Sequence, residues 1–293
     1  MIMGETAQEL ARVATANLKA AGIPSAPLDA RLIMRHVLGR RFDDVLIDPM
    51  RRLTDEEERR FTALLGRRTA REPLSHILGR REFWSLPFAV GPAVLDPRPD
   101  SETLIEAVLD HVKGACAPDG AGLSILDLGT GSGCLLLSLL HELPDAKGVG
   151  VDISADALSM ARTNARRLGL DARATFAESD WTAGLSGRFD IVVSNPPYIR
   201  RGDIADLAPE VRDHEPHLAL DGGADGLEAY RRIIPALGPL FSADSGRPSM
   251  AAFEVGRGQA DDVVKLLSQN GFIDIECRND LAGTARCVTG FKE

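Results

Sequence analysis

The stretch Ile125-Leu-Asp-Leu-Gly-Thr-Gly-Ser-Gly-Cys134 decides the fold. Ile125 to Leu128 is a short apolar run of the kind that forms a buried strand, and it passes through three glycines into a helix expected near 133–142. Glycines let the backbone come close to a ligand, and a helix start offers unpaired N–H donors. A dinucleotide fingerprint would need its third glycine at position 134, which is Cys134, so a nicotinamide cofactor is not favoured. Asp152 ends the next apolar run, 21 residues beyond Gly131. A carboxylate there can accept both hydroxyls of a ribose, so the ligand reads as a nucleoside all the same.

Outward from this loop, apolar runs alternate with helical patterns. Strands are expected over 125–128, 148–153, 172–176, 191–194, 251–255 and 272–277, with helices near 133–142, 155–168, 227–237 and 258–270. Such alternation gives an α/β fold, a mostly parallel sheet covered by helices on both faces.

The segment Phe189-Asp-Ile-Val-Val-Ser-Asn-Pro-Pro-Tyr198 runs an apolar strand directly into Asn195-Pro196-Pro197-Tyr198. Those four residues therefore stand at the carboxyl end of the sheet, where open α/β sheets bind ligands. Two prolines stiffen the backbone and remove two N–H donors, leaving carbonyl oxygens to accept. The Asn195 side-chain oxygen and the Pro196 carbonyl can then converge on one planar NH₂ group, with the Tyr198 ring beside it. Asp180-Trp181, after the third strand, suits a purine through stacking and a carboxylate acceptor, although a lone Trp can equally be core.

The chain has 293 residues and a net charge of −9. The charge is uneven: residues 1–90 hold 15 basic and 12 acidic side chains, net +3, and the remainder is net −12. The basic part reads as helices. Ala11, Val13, Ala14, Leu18 and Ala21 recur at helical spacing, Leu28 to Leu38 repeats the pattern, and Thr54-Asp-Glu-Glu57 is a capping box for a helix to about Arg71. The pairs Arg51-Arg52, Arg59-Arg60 and Arg67-Arg68 fall on helix surfaces, as a solvated face or a docking surface. Between Pro73 and Pro99, two apolar runs broken by Gly91-Pro92 predict a short hairpin linking two domains.

Some chemistries are disfavoured at this stage. No run approaches the roughly 18 apolar residues of a membrane helix, and the N-terminus lacks a signal-peptide pattern, so a cytoplasmic protein is expected. The spacing of Cys116, Cys134, Cys277 and Cys287 fits neither a zinc site nor a disulfide framework, and His214-x-x-His217 is not a helical metal pair, so no metal is expected. The acidic balance argues against holding nucleic acid through a basic surface.

Together, the glycine loop, the acidic strand end and the Asn-Pro-Pro-Tyr tetrapeptide resemble class I S-adenosylmethionine-dependent methyltransferases acting on a planar NH₂. More narrowly, Pro73-Leu-Ser-His-Ile-Leu-Gly79, Pro97-Arg-Pro-Asp-Ser-Glu102, the segment Glu215 to Arg231 and Glu254-Val-Gly-Arg-Gly-Gln259 resemble the PrmC/HemK family of peptide chain release factor N5-glutamine methyltransferases. The resemblance spans roughly residues 10–291. It implies a helical substrate-recognition domain over residues 1–80, a hairpin linker over 81–112 and a Rossmann-like, seven-stranded methyltransferase domain over 113–293 whose last strands include an antiparallel pair.

The cofactor implied is S-adenosyl-L-methionine, bound by Gly129, Thr130, Gly131, Ser132, Gly133, Asp152, Trp181 and Asn195. Substrate glutamine falls to Asn195, Pro196, Pro197 and Tyr198, with Asn195, Pro196 and Tyr198 in the catalytic role. The implied partners are class I release factors, methylated at the glutamine of their Gly-Gly-Gln loop in translation termination, with no direct nucleic-acid or membrane binding. The alternatives are an N6-adenine DNA or RNA methyltransferase and a cofactor-binding module without catalysis. Asp96 stands where the family usually has an apolar residue and Ser101 where Thr is usual, and both departures are expected to affect linker packing more than activity.

Overall fold

The structure is a computed structural model describing residues 6–39, 48, 50–114, 119–242 and 248–292. The chain divides into two compact units, residues 1–79 with 208–214, and residues 80–207 with 215–293.

The first unit is built on helices α1 (Ala7–Ala20), α2 (Ala26–Leu38), α3 (Asp55–Thr69) and the short α4 (Leu74–Leu78). Two capping boxes start α1 and α3: the Thr6 and Thr54 hydroxyls accept the N–H of Glu9 and Glu57, whose carboxylates reach back to the cap N–H groups. Leu10, Ala14, Leu18, Ile33, Met34, Val37 and Phe61 close one apolar core. Arg68 departs from its expected place on a surface. It is buried, with Nε 2.7 Å from Asp29 Oδ2 and Nη1 3.1 Å from Glu210 Oε1. A buried guanidinium is tolerated because carboxylates neutralise it and the Glu72 carbonyl accepts another of its N–H groups. Arg67 pairs with Glu72 and Arg59 with Glu56, so these cations are largely occupied within the unit.

The second unit opens with a hairpin, β1 (Arg80–Phe83) and β2 (Leu86–Ala89). Its turn falls at Trp84-Ser85, not at Gly91-Pro92, which follow the second strand. Both turn residues take positive φ, 51° and 57°, as the tight turn that suits strand twist demands, without the usual Asn-Gly signature. Long-range bonds hold it instead: Trp84 N–H donates to Glu102 and its indole N–H to Glu142. The segment after the hairpin also differs from a plain linker. Residues 102–114 form α5 (Glu102–Gly114), which buries Leu104, Ile105, Val108 and Val112.

Strands β3 (Ser124–Leu128), β4 (Lys147–Asp152), β5 (Ala174–Glu178), β6 (Ile191–Ser194), β7 (Ser249–Glu254), β8 (Ile273–Asn279) and β9 (Ala285–Lys292) make one sheet in the order β5-β4-β3-β6-β7-β9-β8. The first five pair in parallel, while β9 runs antiparallel to both β7 and β8. Helices α6 (Cys134–Glu142), α7 (Ala155–Leu168), α8 (Glu228–Ile233) and α9 (Ala260–Gln269) complete the covering.

Both sheet faces are buried. Ile125, Ile191, Val193 and Met250 pack with α5 and α6, whereas Leu126, Val192, Ala251 and Phe253 pack with α8 and α9. The strict alternation follows from the two-residue period of a strand, and burial on both faces makes these strands nearly continuous apolar runs. Because β3 sits between β4 and β6, the chain reverses its strand order there, and the loops after β3, β4 and β6 open on one crevice.

Candidate active site

The glycine loop is tied to the end of β4. Gly129 and Thr130 both donate N–H to the Val151 carbonyl at 2.9 Å, and Gly133 donates to Thr130 at 2.8 Å. Gly129 has φ +71°, and a Cβ there would lie 3.2 Å from the Trp181 ring, so only glycine lets the indole press on the loop. Gly133 takes φ +80° as the N-cap of α6. Asp152 braces the turn from the side: Oδ2 accepts the Gly131 N–H and Oδ1 the Ser154 N–H, each at 2.9 Å. Each oxygen keeps accepting capacity for a further donor. Beneath the loop, Asp127 is fully buried and accepts the Thr130 hydroxyl at 2.6 Å. Burial pushes its carboxyl up to about 7, opposed by that hydroxyl.

At the end of β6, the Ser194 hydroxyl donates to the Leu128 carbonyl at 2.7 Å, which holds the strand ends level. Asn195 Nδ2 donates to the Ser101 hydroxyl at 3.3 Å. The amide is thereby turned so that Oδ1 is left to accept. The Tyr198 hydroxyl donates to Glu254 Oε1 at 3.2 Å, and burial pushes the phenol well above its ordinary range. Behind the tetrapeptide, Gln259 Nε2 donates to the Tyr198 carbonyl at 2.9 Å while its Oε1 accepts the Gly256 N–H at 3.0 Å. Cβ atoms on Gly222 and Gly226 would stand 2.8 Å and 2.3 Å from the Pro197 and Tyr198 carbonyl oxygens. The Glu215–Arg231 segment therefore lies directly against the backbone of the tetrapeptide.

These parts line a cleft of about 350 Å³. It brings together Gly129, Thr130, Gly131, Ser132, Asp152, Trp181, Asn195 and Pro197. Gly133, Pro196 and Tyr198 do not line it. Gly133 caps the helix, Pro196 is buried, and the Tyr198 hydroxyl reaches Glu254. Sequence reasoning missed Arg98, Ser101, Leu218, Asp221 and Arg232, which also line the cleft. Ser101 also corrects an expectation: the departure from Thr lies against the Asn195 side-chain amide, not merely in the linker. Its only sequence signal was its place in the Pro97–Glu102 motif.

Asp180 forms an ion pair with Arg232 at 2.6 Å. Asp96 is buried, with Oδ2 3.9 Å from Arg81 Nη1 and Oδ1 without a hydrogen-bond partner among the described residues. Among the described residues no cluster could hold a metal ion, Cys134, Cys277 and Cys287 are free, and Cys116 lies outside the described residues. No helix among the described residues is long and apolar enough to cross a membrane.

The cleft fits S-adenosylmethionine. A carboxylate with spare accepting capacity, Asp152, stands at the glycine loop, an indole face is pressed onto that loop, and an amide oxygen is turned free at the adjacent strand end. A seven-stranded sheet with its antiparallel last pair and this site defines a class I S-adenosylmethionine-dependent methyltransferase. Residues 9–79 match the PrmC N-terminal domain and residues 101–214 the methyltransferase small domain. The release factor glutamine methyltransferase of Rhodospirillum rubrum is 49% identical over 92% of this chain and 80% of its own. That of Bradyrhizobium diazoefficiens is 43% identical over 99% and 96%. The N-terminal domain of human METTL16, solved with SAH, shares the fold at 16% identity and a TM-score of 0.51, over 74% of this chain and 79% of that one. The chain belongs to the release factor glutamine methyltransferase family.

Proposed function

We propose that this enzyme methylates the side-chain amide nitrogen, N5, of the glutamine in the Gly-Gly-Gln motif of class I peptide chain release factors, a cytoplasmic modification that modulates translation termination. The observation that carries this reading is the Asn195 amide, held by Ser101 with its oxygen free at the strand end next to the glycine loop. Bound S-adenosylmethionine supplies an electrophilic methyl on a sulfonium, whose sulfur keeps the C–S electron pair as a neutral thioether.

The chain's own part is positioning. Oδ1 of Asn195, a residue that lines the cleft, and the Pro196 carbonyl, assigned from the family resemblance although Pro196 itself is buried outside the cleft lining, accept the two N–H bonds of the substrate amide. Holding both favours a pyramidal nitrogen and aims its lone pair, an effect strongest near the transition state. The alkylated amide is acidic enough to lose its proton to water, so no strong base is required. Asp152 takes the ribose, and Trp181 the adenine side.

The helical domain, residues 1–80, serves as the substrate-recognition arm; its basic excess over the acidic remainder supports that role. The acidic catalytic part also favours a protein substrate over an adenine in DNA or RNA. Incubating enzyme and cofactor with purified release factor, or with DNA, and weighing the products tests the reading. One added methyl at the glutamine supports it; methylation of DNA alone overturns it.

A further inference from the structure

Asparagine is a weak helix former, yet Asn164 stands inside α7 on the stripe it shares with Ala157, Leu158, Ala161 and Ala165. That stripe faces the core, and Asn164 is 0% exposed. A buried carboxamide is costly unless its donors and its acceptor are bonded, and here they are. Oδ1 accepts the Ala89 N–H at 2.7 Å, while Nδ2 donates to the Ala89 carbonyl at 3.0 Å and to the Ser132 carbonyl at 2.9 Å. Three main-chain groups of fixed polarity leave the amide one orientation, because turning it over would set N–H against N–H and oxygen against two carbonyls.

Those three bonds join two separate elements. Ala89 ends β2 of the hairpin, and Ser132 lies in the glycine loop, where it lines the cleft. Ser132 is flanked by Gly131 and Gly133, both at positive φ, 55° and 80°. Glycine takes either sign of φ at little cost, so peptide units beside glycines rotate easily unless something holds them. The Ser132–Gly133 unit is held at both ends, its N–H on the Thr130 carbonyl at 2.8 Å and its oxygen on Asn164. The first of these bonds lies within the loop; the second ties the loop to the scaffold. Helix α7 also backs the loop closely, since a Cβ on Gly133 would stand 3.3 Å from the Ala161 Cβ.

We propose that Asn164 is a positioning residue for S-adenosylmethionine binding: one side chain bonds both the Ser132 carbonyl and the end of the hairpin, and so keeps the glycine loop in its binding conformation. A loop ordered before the ligand arrives spares the ligand the cost of ordering it, so the effect falls on affinity. The hairpin is then a support of the cofactor site as well as a linker.

Asn164→Ala removes all three bonds. It is expected to raise the dissociation constant for S-adenosylmethionine about tenfold or more, measured by titration calorimetry at a temperature where the variant is folded. The control is Leu267→Ala, a cavity under α9, which packs over β8 and β9 at the far edge of the sheet from the loop. It loses stability but should keep the affinity within about twofold of wild type. Equal affinities in the two variants overturn the proposal and leave Asn164 a core residue only.

Hydrogen exchange on the wild-type enzyme tests the same tie without any variant. Ala89 does not line the cleft, and its N–H is bonded to Asn164. Saturating S-adenosylmethionine is expected to slow exchange at Ala89 several-fold more than at Phe88, its neighbour on β2; equal slowing at the two amides overturns the coupling. Neither measurement needs a methyl acceptor. A wild type that binds the cofactor but methylates no glutamine defeats the functional reading, and the two contrasts still decide the role of Asn164.

Discussion

The Asp152 carboxylate accepts the backbone N–H of Gly131 at 2.9 Å, so the carboxylate proposed to hold the ribose also shapes the glycine loop. Its second oxygen accepts the Ser154 N–H at 2.9 Å, the residue that caps α7. One side chain therefore ties the ends of two adjacent parallel strands, β3 and β4, to a single ligand position.

Asp152→Ala removes both the ribose acceptor and the brace, and is expected to weaken S-adenosylmethionine binding by about 10²-fold, on the order of 1.5–3 kcal/mol for a hydrogen bond to a charged group. Asp152→Asn keeps an acceptor but loses the charge and should fall between. Titration calorimetry with the cofactor checks the order; equal affinities for Ala and wild type would remove the assignment.

Asn195→Ala deletes one of the two acceptors proposed for the substrate amide without touching the glycine loop. We expect kcat to fall by on the order of 10²-fold or more. Steady-state rates with a release factor substrate measure this, and an unchanged kcat would show that Asn195 takes no part in the chemistry.

Gln259 clamps the same tetrapeptide from behind, through the Tyr198 carbonyl and the Gly256 N–H. Gln259→Ala removes the partner of the Gly256 N–H and of the Tyr198 and Gly226 carbonyls and is expected to cost about 1–3 kcal/mol of stability. Chemical denaturation reads the loss. Activity at low temperature, where the variant remains folded, should also drop as the tetrapeptide loosens.

Glu215 is buried beside Arg98, 2.7 Å away. Burial pushes its carboxyl up to about 7 from an ordinary 4.5, with Arg98 opposing and Asp96 adding to the rise. The folded form thus holds a proton that the unfolded chain releases at lower pH. Its contribution to stability is complete below about pH 4.5 and is lost as pH rises through 7. Glu215→Gln should lose less stability than wild type between pH 5 and pH 8, by roughly 2 kcal/mol at most. Asp127, shifted up to about 7 in the same way, leaves a remainder of the same sign. Parallel thermal-unfolding curves for variant and wild type across this range would refute the assignment.

Arg60 is exposed on α3, while Arg68 is buried and cannot dock a partner. Arg59→Glu combined with Arg60→Glu is expected to raise KM for an intact release factor several-fold, by removing electrostatic complementarity, and to leave turnover of a short Gly-Gly-Gln peptide unchanged. Equal KM values for the intact protein would make this face merely solvated.

Local chemistry carried much of the reading. The Thr54-Glu57 capping box, the glycine turn after Leu128, the carboxylate at Asp152 and the double proline after Asn195 are each written in neighbouring residues, because backbone stereochemistry and strand or helix period depend on short spacings. Strand β9 and helix α5 escaped it. Their identity is set by what they pack against: β9 inserts between β7 and β8, and α5 covers a sheet face formed later in the chain.

Contacts across long separations belong to the tertiary structure alone. Ser101 meets Asn195 across 94 positions, Gln259 meets the Tyr198 carbonyl across 61, and Arg68 is buried on Asp29 across 39. No local pattern encodes such pairs, since they arise only when strand order and crossover packing bring distant loops to one edge of the sheet or distant helix faces together. The amino-acid sequence by itself determined which chemistry this chain carries; the fold decided which side chains hold that chemistry in place.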